Sequence, residues 1–193
     1  MNLPNKLTLL RIAMIPLIVA IYYSPLRNLE GYSVLNSTIS LVDILVLVIF
    51  ALASFTDYLD GMIARRDNLI TTFGKFADPI ADKLLVNTLL LLLAGEQTIP
   101  IIVPIIMISR DMIVDAIRLV SSSNNRVIAA SYWGKLKTVT QIVAIIMLLL
   151  RNIPFSLLGV RVDLVMIMVA TAVSLISGID YFVKNRDIIL ESI

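Results

Sequence analysis

The sequence predicts an all-α integral membrane protein, a bundle of six transmembrane helices with its functional site at the cytoplasmic side. Hydrophobic residues make up 59% of the 193 residues, compared with roughly 45–50% in soluble domains, and the mean hydropathy is +0.94. Six apolar stretches follow one another along the chain, each near the roughly 20 residues that cross hydrocarbon as a helix. The stretches are 7–23, 39–64, 76–94, 99–120, 131–150 and 164–183.

The six stretches differ in the polar residues that they contain. Arg11 and Pro16 interrupt the first, and no small-residue cleavage site follows it, so we expect a retained helix and not a signal peptide. Aspartates end the second stretch and begin the third, and basic residues lie in or beside the fourth and fifth. We assign no function to the sixth. Because the connections are too short for a soluble module, residues 1–193 are predicted to form a single domain.

The basic residues indicate the orientation in the membrane. If the amino terminus is cytoplasmic, all but three of the 16 lysines and arginines lie on the inner side, the exceptions being Arg27, Arg151 and Arg161. Because cytoplasmic loops have the excess of positive charge, this distribution predicts a multi-pass protein of the cell membrane with both termini in the cytoplasm. The net charge of only +2 gives no indication of a nucleic-acid partner.

The aspartates recur at helical spacing on two successive helices. Positions i, i+3, i+4, i+7 and i+8 of the first helix form one face, and they are Asp57, Asp60, Gly61, Ala64 and Arg65. Positions i, i+4 and i+8 of the second helix form another stripe, with Gly74, Asp78 and Asp82. The short polar link 66–73 is expected to bring the two stripes together.

Oxygen is the only kind of metal ligand that this chain offers in quantity. It has no histidine and no cysteine, which excludes disulfides, thiolate or imidazole ligands and any nucleophile activated by histidine. An aspartate at the centre of a membrane helix costs about 2.5–3.5 kcal/mol, and carboxylates ~4 Å apart repel by about 4 kcal/mol at an effective dielectric of 20. Two hard divalent cations, Mg²⁺ or Mn²⁺, would neutralise four such charges. The alternative is a set of structural salt bridges with Arg65, Arg66, Lys75 and Lys83.

Residues 57–82 resemble the signature of the CDP-alcohol phosphatidyltransferases, D-x-x-D-G-x-x-A-R-x(8)-G-x-x-x-D-x-x-x-D, with every fixed position present. The resemblance implies transfer of a phosphatidyl group from CDP-diacylglycerol to an alcohol, with release of CMP, in a homodimer. It also implies that two divalent metal ions are held by Asp57, Asp60, Asp78 and Asp82. Asp82 would in addition take the proton from the attacking hydroxyl.

The resemblance also implies where the lipid nucleotide binds. Gly61 and Arg65 would contact the CDP moiety of CDP-diacylglycerol, together with Asn5 and Thr71. Since phosphoryl transfer is catalysed chiefly by positioning and charge stabilisation, no protein nucleophile is needed. We therefore favour direct displacement over a covalent phosphatidyl-enzyme.

Cations in the fourth and fifth stretches predict a pocket for an anionic acceptor. Arg110 and Arg118 are eight residues apart and share a helix face, while Lys135 and Lys137 lie at the start of the next helix, whose dipole adds positive charge. The segments Ser109-Arg110-Asp111 and Gly134-Lys135-Leu136-Lys137-Thr138 resemble those of the family branch that uses glycerol 3-phosphate. On that resemblance these four cations bind its phosphate, and Thr8 and Arg11 help.

Several alternatives stay open at this point. The cations near the fourth and fifth stretches could simply follow the positive-inside rule, and Arg110 could form an internal ion pair with its neighbour Asp111. Inositol phosphate, or phosphatidylglycerol in cardiolipin synthesis, could be the acceptor. A small ion or solute transporter is the alternative of another class, although the aspartates cluster at one membrane face and no matched pair of broken helices is seen.

Overall fold

The computed structural model describes residues 2–66, 71–123 and 131–187, and it confirms the all-α class. One helix forms over each of the six apolar stretches. The helices are α1 (Leu3–Tyr22), α2 (Leu41–Arg66), α3 (Thr72–Gly95), α4 (Ile102–Ser123), α5 (Tyr132–Leu149) and α6 (Val162–Lys184).

The chain divides into two compact units, and each is formed by two separate segments. The first unit comprises Met1–Leu92 and Leu149–Val160, and therefore contains α1, α2 and most of α3. The second comprises Leu93–Leu148 and Arg161–Ile193, and contains the end of α3, nearly all of α5, and α4 and α6. The single domain over 1–193 stays a prediction.

In the first unit α1 packs along α2, and the core between them contains fully buried apolar side chains such as Ile18, Val46 and Phe50. The Tyr22 hydroxyl donates a hydrogen bond to the Leu92 carbonyl oxygen at 3.1 Å, which joins the end of α1 to α3. A buried tyrosine hydroxyl usually finds such a partner.

A small β-hairpin lies between α1 and α2, and the sequence did not predict it. Strands β1 (Tyr32–Val34) and β2 (Ser37–Ile39) pair antiparallel, with Tyr32 opposite Ile39 and Val34 opposite Ser37. The predicted apolar stretch 39–64 thus begins inside β2, two residues before the helix. Three-residue strands are too short for an alternating pattern to be recognised.

The start of α2 is fixed by a capping box and an ion pair. Asp43 accepts a hydrogen bond from the Ser40 backbone N–H at 3.2 Å, and Ser40 Oγ accepts one from the Asp43 N–H at 3.0 Å. Arg151 Nε and Nη2 donate to the two oxygens of Asp43 at 2.8 and 3.0 Å. Asp43 is buried, so this bidentate pair anchors the segment 149–160 to the start of α2 within the first unit.

In the second unit α4 packs against α6. The buried face of α6 begins with Asp163, continues with Ile167 and Ala170, and then becomes a polar stripe. The stripe consists of the buried side chains Thr171, Ser174, Ser177 and Tyr181. Arg161, just before the helix, binds Asp163 in its first turn through two hydrogen bonds of 2.9 and 2.8 Å.

Three helices of the described residues are long and apolar enough to cross a membrane. Their apolar spans are Asn5–Tyr22, Tyr132–Leu149 and Val162–Lys184. The other helices also expose large apolar side chains, including Phe76 and Leu119. Such extensive apolar exposure is typical of a surface that contacts lipid, and it agrees with the prediction of a membrane protein.

Candidate active site

Arg11 brings together two aspartates of the predicted metal set. Its Nη1 lies 3.0 Å from Asp57 Oδ1 and 2.9 Å from Asp82 Oδ1. The Arg11 side chain is fully buried, whereas those of Asp57 and Asp82 are 42% and 46% exposed. A buried guanidinium needs such partners, so α1, α2 and α3 meet at this group, and the two carboxylates remain accessible from outside the protein.

Asp78 is held by the same face of α1. The Thr8 hydroxyl, which is fully buried, donates a hydrogen bond to Asp78 Oδ1. Thr8 and Arg11 are three residues apart on α1, and their partners Asp78 and Asp82 are four apart on α3. The later residue of α1 thus contacts the later residue of α3. The two helices therefore run parallel, in the same direction.

Gly74 lies in a tight space at the beginning of α3. Thr71 caps the helix, because its Oγ1 accepts the Gly74 backbone N–H at 3.0 Å. The same hydroxyl donates to Asn5 Oδ1 at 2.8 Å. A Cβ on Gly74 would lie only 3.2 Å from Thr71 Oγ1 and 3.3 Å from Asn5 Oδ1, so the glycine lets α1 approach.

These contacts bring seven of the predicted site residues into one group, which we call the carboxylate cluster. Its described members are Asn5, Thr8, Arg11, Asp57, Thr71, Asp78 and Asp82. The backbone of α2 continues to Arg66, but the side chains of Asp60, Gly61 and Arg65 lie outside the described part of the structure. Their predicted contacts therefore stay predictions.

The carboxylate cluster has the ligand chemistry that a hard divalent cation prefers. Asp57, Asp78 and Asp82 offer only oxygen atoms, as Mg²⁺ and Mn²⁺ require. Among the described side chains no three acidic groups converge closely enough to complete a metal site, and Asp60 is the fourth residue of the predicted set. The donor chemistry of these aspartates therefore fits a bound divalent cation.

A second group of charges, which we call the basic cluster, lies in the other unit. Arg110 Nη1 donates to Asp111 Oδ1 at 2.9 Å, and Lys137 Nζ donates to Asp111 Oδ2 at 2.6 Å. Arg110 Nη2 also donates to Ser177 Oγ on α6. The side chains of Arg110, Asp111 and Lys137 are at most 10% exposed. The ion pair considered as an alternative for Arg110 is thus present, and Lys137 shares it.

Arg118 completes the basic cluster through Tyr181. Its Nη2 donates to the Tyr181 hydroxyl at 2.6 Å, and its guanidinium carbon lies 5.1 Å from the centre of the ring. The guanidinium carbon of Arg110 is 5.9 Å from the same centre. Both arginines contact one aromatic residue, which confirms that they share a face of α4.

The two lysines at the start of α5 have different surroundings. Lys137 is buried against Asp111, whereas Lys135 is exposed. The helix begins at a Ser131 cap, since Ser131 Oγ accepts the Gly134 N–H at 3.1 Å. From the sequence the two lysines were assigned the same role, whereas in the structure they differ in burial and in bonding to Asp111.

The sequence analysis missed the contribution of α6. Ser177 and Tyr181 contact the predicted arginines, and a Cβ on Gly178 would lie 2.9 Å from Arg110 Cγ. The available signal was the spacing of Ser174, Ser177 and Tyr181 at three and four residues, which marks one face of an otherwise apolar helix.

A comparison with protein families identifies the family of this chain. The sequence model of the CDP-alcohol phosphatidyltransferases matches residues 1–176. This chain belongs to the CDP-alcohol phosphatidyltransferase family. The match includes the whole carboxylate cluster and the basic residues of α4 and α5, and it ends just before Ser177.

This CDP-alcohol phosphatidyltransferase is also similar to curated proteins over nearly its full length. A CDP-diacylglycerol--glycerol-3-phosphate 3-phosphatidyltransferase of Bacillus subtilis is 41% identical over 95% of both chains. A protein of the same name from Rickettsia bellii is 34% identical, covering 94% of this chain and 93% of its own length. Another, from Haemophilus influenzae, is 33% identical over 100% and 97%.

Proposed function

We propose that this protein transfers the phosphatidyl group of CDP-diacylglycerol to glycerol 3-phosphate and so forms phosphatidylglycerophosphate and CMP. The observation that carries the proposal is the nearly end-to-end similarity to relatives named for this reaction, at 31–41% identity. The family match and the converging aspartates support the reaction class.

The proposed reaction is a direct displacement at the phosphorus next to the diacylglycerol. The acceptor hydroxyl oxygen forms a bond to this phosphorus, and the bond from phosphorus to the CMP oxygen breaks. The hydroxyl proton passes to the carboxylate of Asp82, which acts as general base. The carboxylate of Asp82 is 46% exposed, which leaves room for a substrate hydroxyl to reach it.

Asp57, Asp60, Asp78 and Asp82 would hold two divalent cations, Mg²⁺ or Mn²⁺. When bound, these ions supply positive charge to the phosphate oxygens. Thr8 and Arg11 contact the carboxylates of this set, so we assign both residues to positioning the aspartates. This assignment replaces the acceptor contact that the sequence suggested for them.

We assign the CDP moiety of the lipid substrate to Asn5, Gly61, Arg65 and Thr71. The hydrogen bond between Thr71 and Asn5, at 2.8 Å, supports a shared role for these two residues. The acceptor phosphate is assigned to Arg110, Arg118, Lys135 and Lys137. Arginine forks match the geometry of phosphate oxygens, and a group of four cations favours an anionic acceptor.

We further propose that all six helices cross the cell membrane, with both termini and the active site at the cytoplasmic side. Support comes from the three apolar helices and from the distribution of basic residues in the sequence. On this proposal the whole chain, 1–193, forms one catalytic domain, and the family resemblance supports a homodimer as the functional unit.

The test is an acceptor screen with purified protein, CDP-diacylglycerol and Mg²⁺, in which CMP release is measured. We expect release with glycerol 3-phosphate and not with inositol phosphate or phosphatidylglycerol. The substitution Asp82→Asn should lower kcat by about a hundredfold or more, whereas Asp187→Asn, at an exposed site near the end of α6, should not. Absence of CMP release with every acceptor would refute the enzymatic assignment.

A further inference from the structure

We propose that α6 positions the arginines of the acceptor site, with Tyr181 as the positioning residue for Arg118 and Gly178 as the one that makes room for Arg110. This inference rests on the proposed function and extends it to a helix for which the sequence gave no role. Both residues lie beyond the part of the chain that the family model matches.

The hydroxyl of Tyr181 fixes the side chain of Arg118, which would otherwise sample several rotamers. Arginine has many rotamers, and fixing one of them costs conformational entropy. Arg118 is exposed, whereas Tyr181 is 1% exposed and therefore fixed by its surroundings. The 2.6 Å hydrogen bond ties the mobile group to the fixed one, so the guanidinium is oriented before a ligand arrives.

The ring of Tyr181 acts on two cations at once. The guanidinium carbons of Arg110 and Arg118 lie 5.9 and 5.1 Å from its centre, within the range of a cation–π interaction. Two like charges would otherwise repel each other and diverge. The negative face of the ring favours keeping both near one point, where a phosphate can bind them together.

The cations of the basic cluster differ in whether a carboxylate of the protein already neutralises them. Asp111 binds both Arg110 and Lys137. Among the described residues, Arg118 is held by a neutral phenol and not by a carboxylate. Arg118 therefore keeps its full charge for an anionic ligand, which makes its orientation by Tyr181 important for acceptor binding.

Gly178 explains why Arg110 can lie against α6. A Cβ at this position would be 2.9 Å from Arg110 Cγ, closer than non-bonded carbon atoms approach. Any larger residue would push the stem of Arg110 away and disturb its bonds to Ser177 and Asp111. The acceptor site therefore requires glycine at position 178, because only glycine leaves space for the side chain of Arg110.

The first test is Tyr181→Phe, which removes only the hydroxyl. We expect the KM for glycerol 3-phosphate to rise about tenfold, the value of one hydrogen bond to a charged group, with the KM for CDP-diacylglycerol unchanged. The control is Tyr22→Phe, which removes a buried hydroxyl bonded to the Leu92 carbonyl and should change neither KM. Because KM does not depend on the amount of active protein, partial misfolding cannot imitate this result.

A double-mutant cycle shows whether Tyr181 acts through Arg118. In an Arg118→Ala background, Tyr181→Phe should cause no further rise in the KM for glycerol 3-phosphate. If the two effects multiply instead, the hydroxyl acts independently of Arg118 and the inference is wrong.

The second test compares two glycine substitutions. Gly178→Ala should raise the KM for glycerol 3-phosphate several-fold, whereas Gly95→Ala, with nothing within 4 Å of its added Cβ, should leave it unchanged. Equal effects of Gly178→Ala on the KM of both substrates would overturn the role of Gly178.

The wild-type assay separates these results from the proposed function. If the wild-type protein releases no CMP with glycerol 3-phosphate, the function is wrong and the inference falls with it. If wild-type activity is present and Tyr181→Phe leaves both KM values unchanged, only the inference is overturned.

Discussion

At the scale of single residues, Arg11 has the most unexpected surroundings. From the sequence it is a cation in the first apolar stretch, and it was assigned to the acceptor phosphate. In the structure it is fully buried and its Nη1 contacts Asp57 and Asp82, on two different helices. Bridging of this kind reduces the repulsion between the two carboxylates and fixes the distance between α2 and α3.

Substitution of Arg11 should therefore affect the carboxylate cluster. We expect Arg11→Ala to lower kcat/KM by about a hundredfold, since misplacing catalytic groups by even 1 Å has effects of that size. More Mg²⁺ should also be required for half-maximal activity of Arg11→Lys, because the shorter side chain keeps the charge but loses the planar fork. The measurement is CMP release over a range of Mg²⁺ concentrations.

Lys6 provides the control for this prediction, because it is an exposed cation in the same helix. Lys6→Ala should leave the Mg²⁺ dependence unchanged. A rise in the KM for glycerol 3-phosphate alone, with normal Mg²⁺ dependence, would restore the original assignment of Arg11 to the acceptor phosphate.

At the scale of elements, the beginnings of the helices determine where the polar residues lie. Thr71 begins α3 and, through its hydroxyl, joins the Gly74 N–H to Asn5 of α1. Ser40 and Asp43 begin α2 in a similar way, and Arg151 adds two hydrogen bonds to the same carboxylate. The start of α3 therefore lies in the carboxylate cluster, whereas the start of α2 has only a structural role.

The structural role of the second helix start can be measured. Arg151→Ala would leave the buried carboxylate of Asp43 without its bidentate partner, which should cost about 3 kcal/mol, the lower end for buried pairs, because Arg151 is itself 26% exposed. The apparent Tm in detergent should fall by several degrees, while both KM values stay unchanged.

Lys184→Ala is the comparison for Arg151→Ala, because it breaks an i,i+4 pair with Asp180 in which the lysine is 64% exposed. Surface pairs of this kind contribute little, so the apparent Tm should hardly move. An equal fall for both variants would show that burial of Asp43 does not matter to stability.

At the scale of the whole molecule, the two units divide the charges between them. The first contains the acidic residues of the carboxylate cluster, and the second contains the basic cluster. On the proposed function the two clusters bind ligands of opposite charge. The carboxylate cluster binds divalent cations, and the basic cluster binds the anionic acceptor. Neither cluster is formed by one helix alone.

Metal binding can be tested without an activity assay. Because a ligand that binds only the folded state stabilises it, Mg²⁺ or Mn²⁺ should raise the apparent Tm of the wild-type protein. The rise should disappear in the double variant Asp57→Asn with Asp82→Asn and persist in Asp187→Asn. Equal stabilisation of all three proteins would contradict a metal site at these aspartates.

Helical periodicity and composition predicted much of this structure. The six apolar stretches became the six helices. Asp57 and Asp82 share Arg11, and Asp78 is bonded to Thr8 of the same helix. The hairpin at 32–39 was missed because its strands are too short for a pattern. Tyr181 was missed because the polar face of α6, although visible in the spacing, does not reveal which residues of another helix it contacts.

The sequence by itself therefore determined the fold class, the helix positions and the family, since these follow from hydropathy and from a motif of fixed spacing along one chain. Only the tertiary structure decided which charges pair. It placed Arg11 on the aspartates, Asp111 between Arg110 and Lys137, and Arg118 on Tyr181. Arg110 and Asp111 are neighbours in the sequence, but the other pairs join residues 26 to 71 positions apart, and periodicity within one helix contains no information about its neighbours.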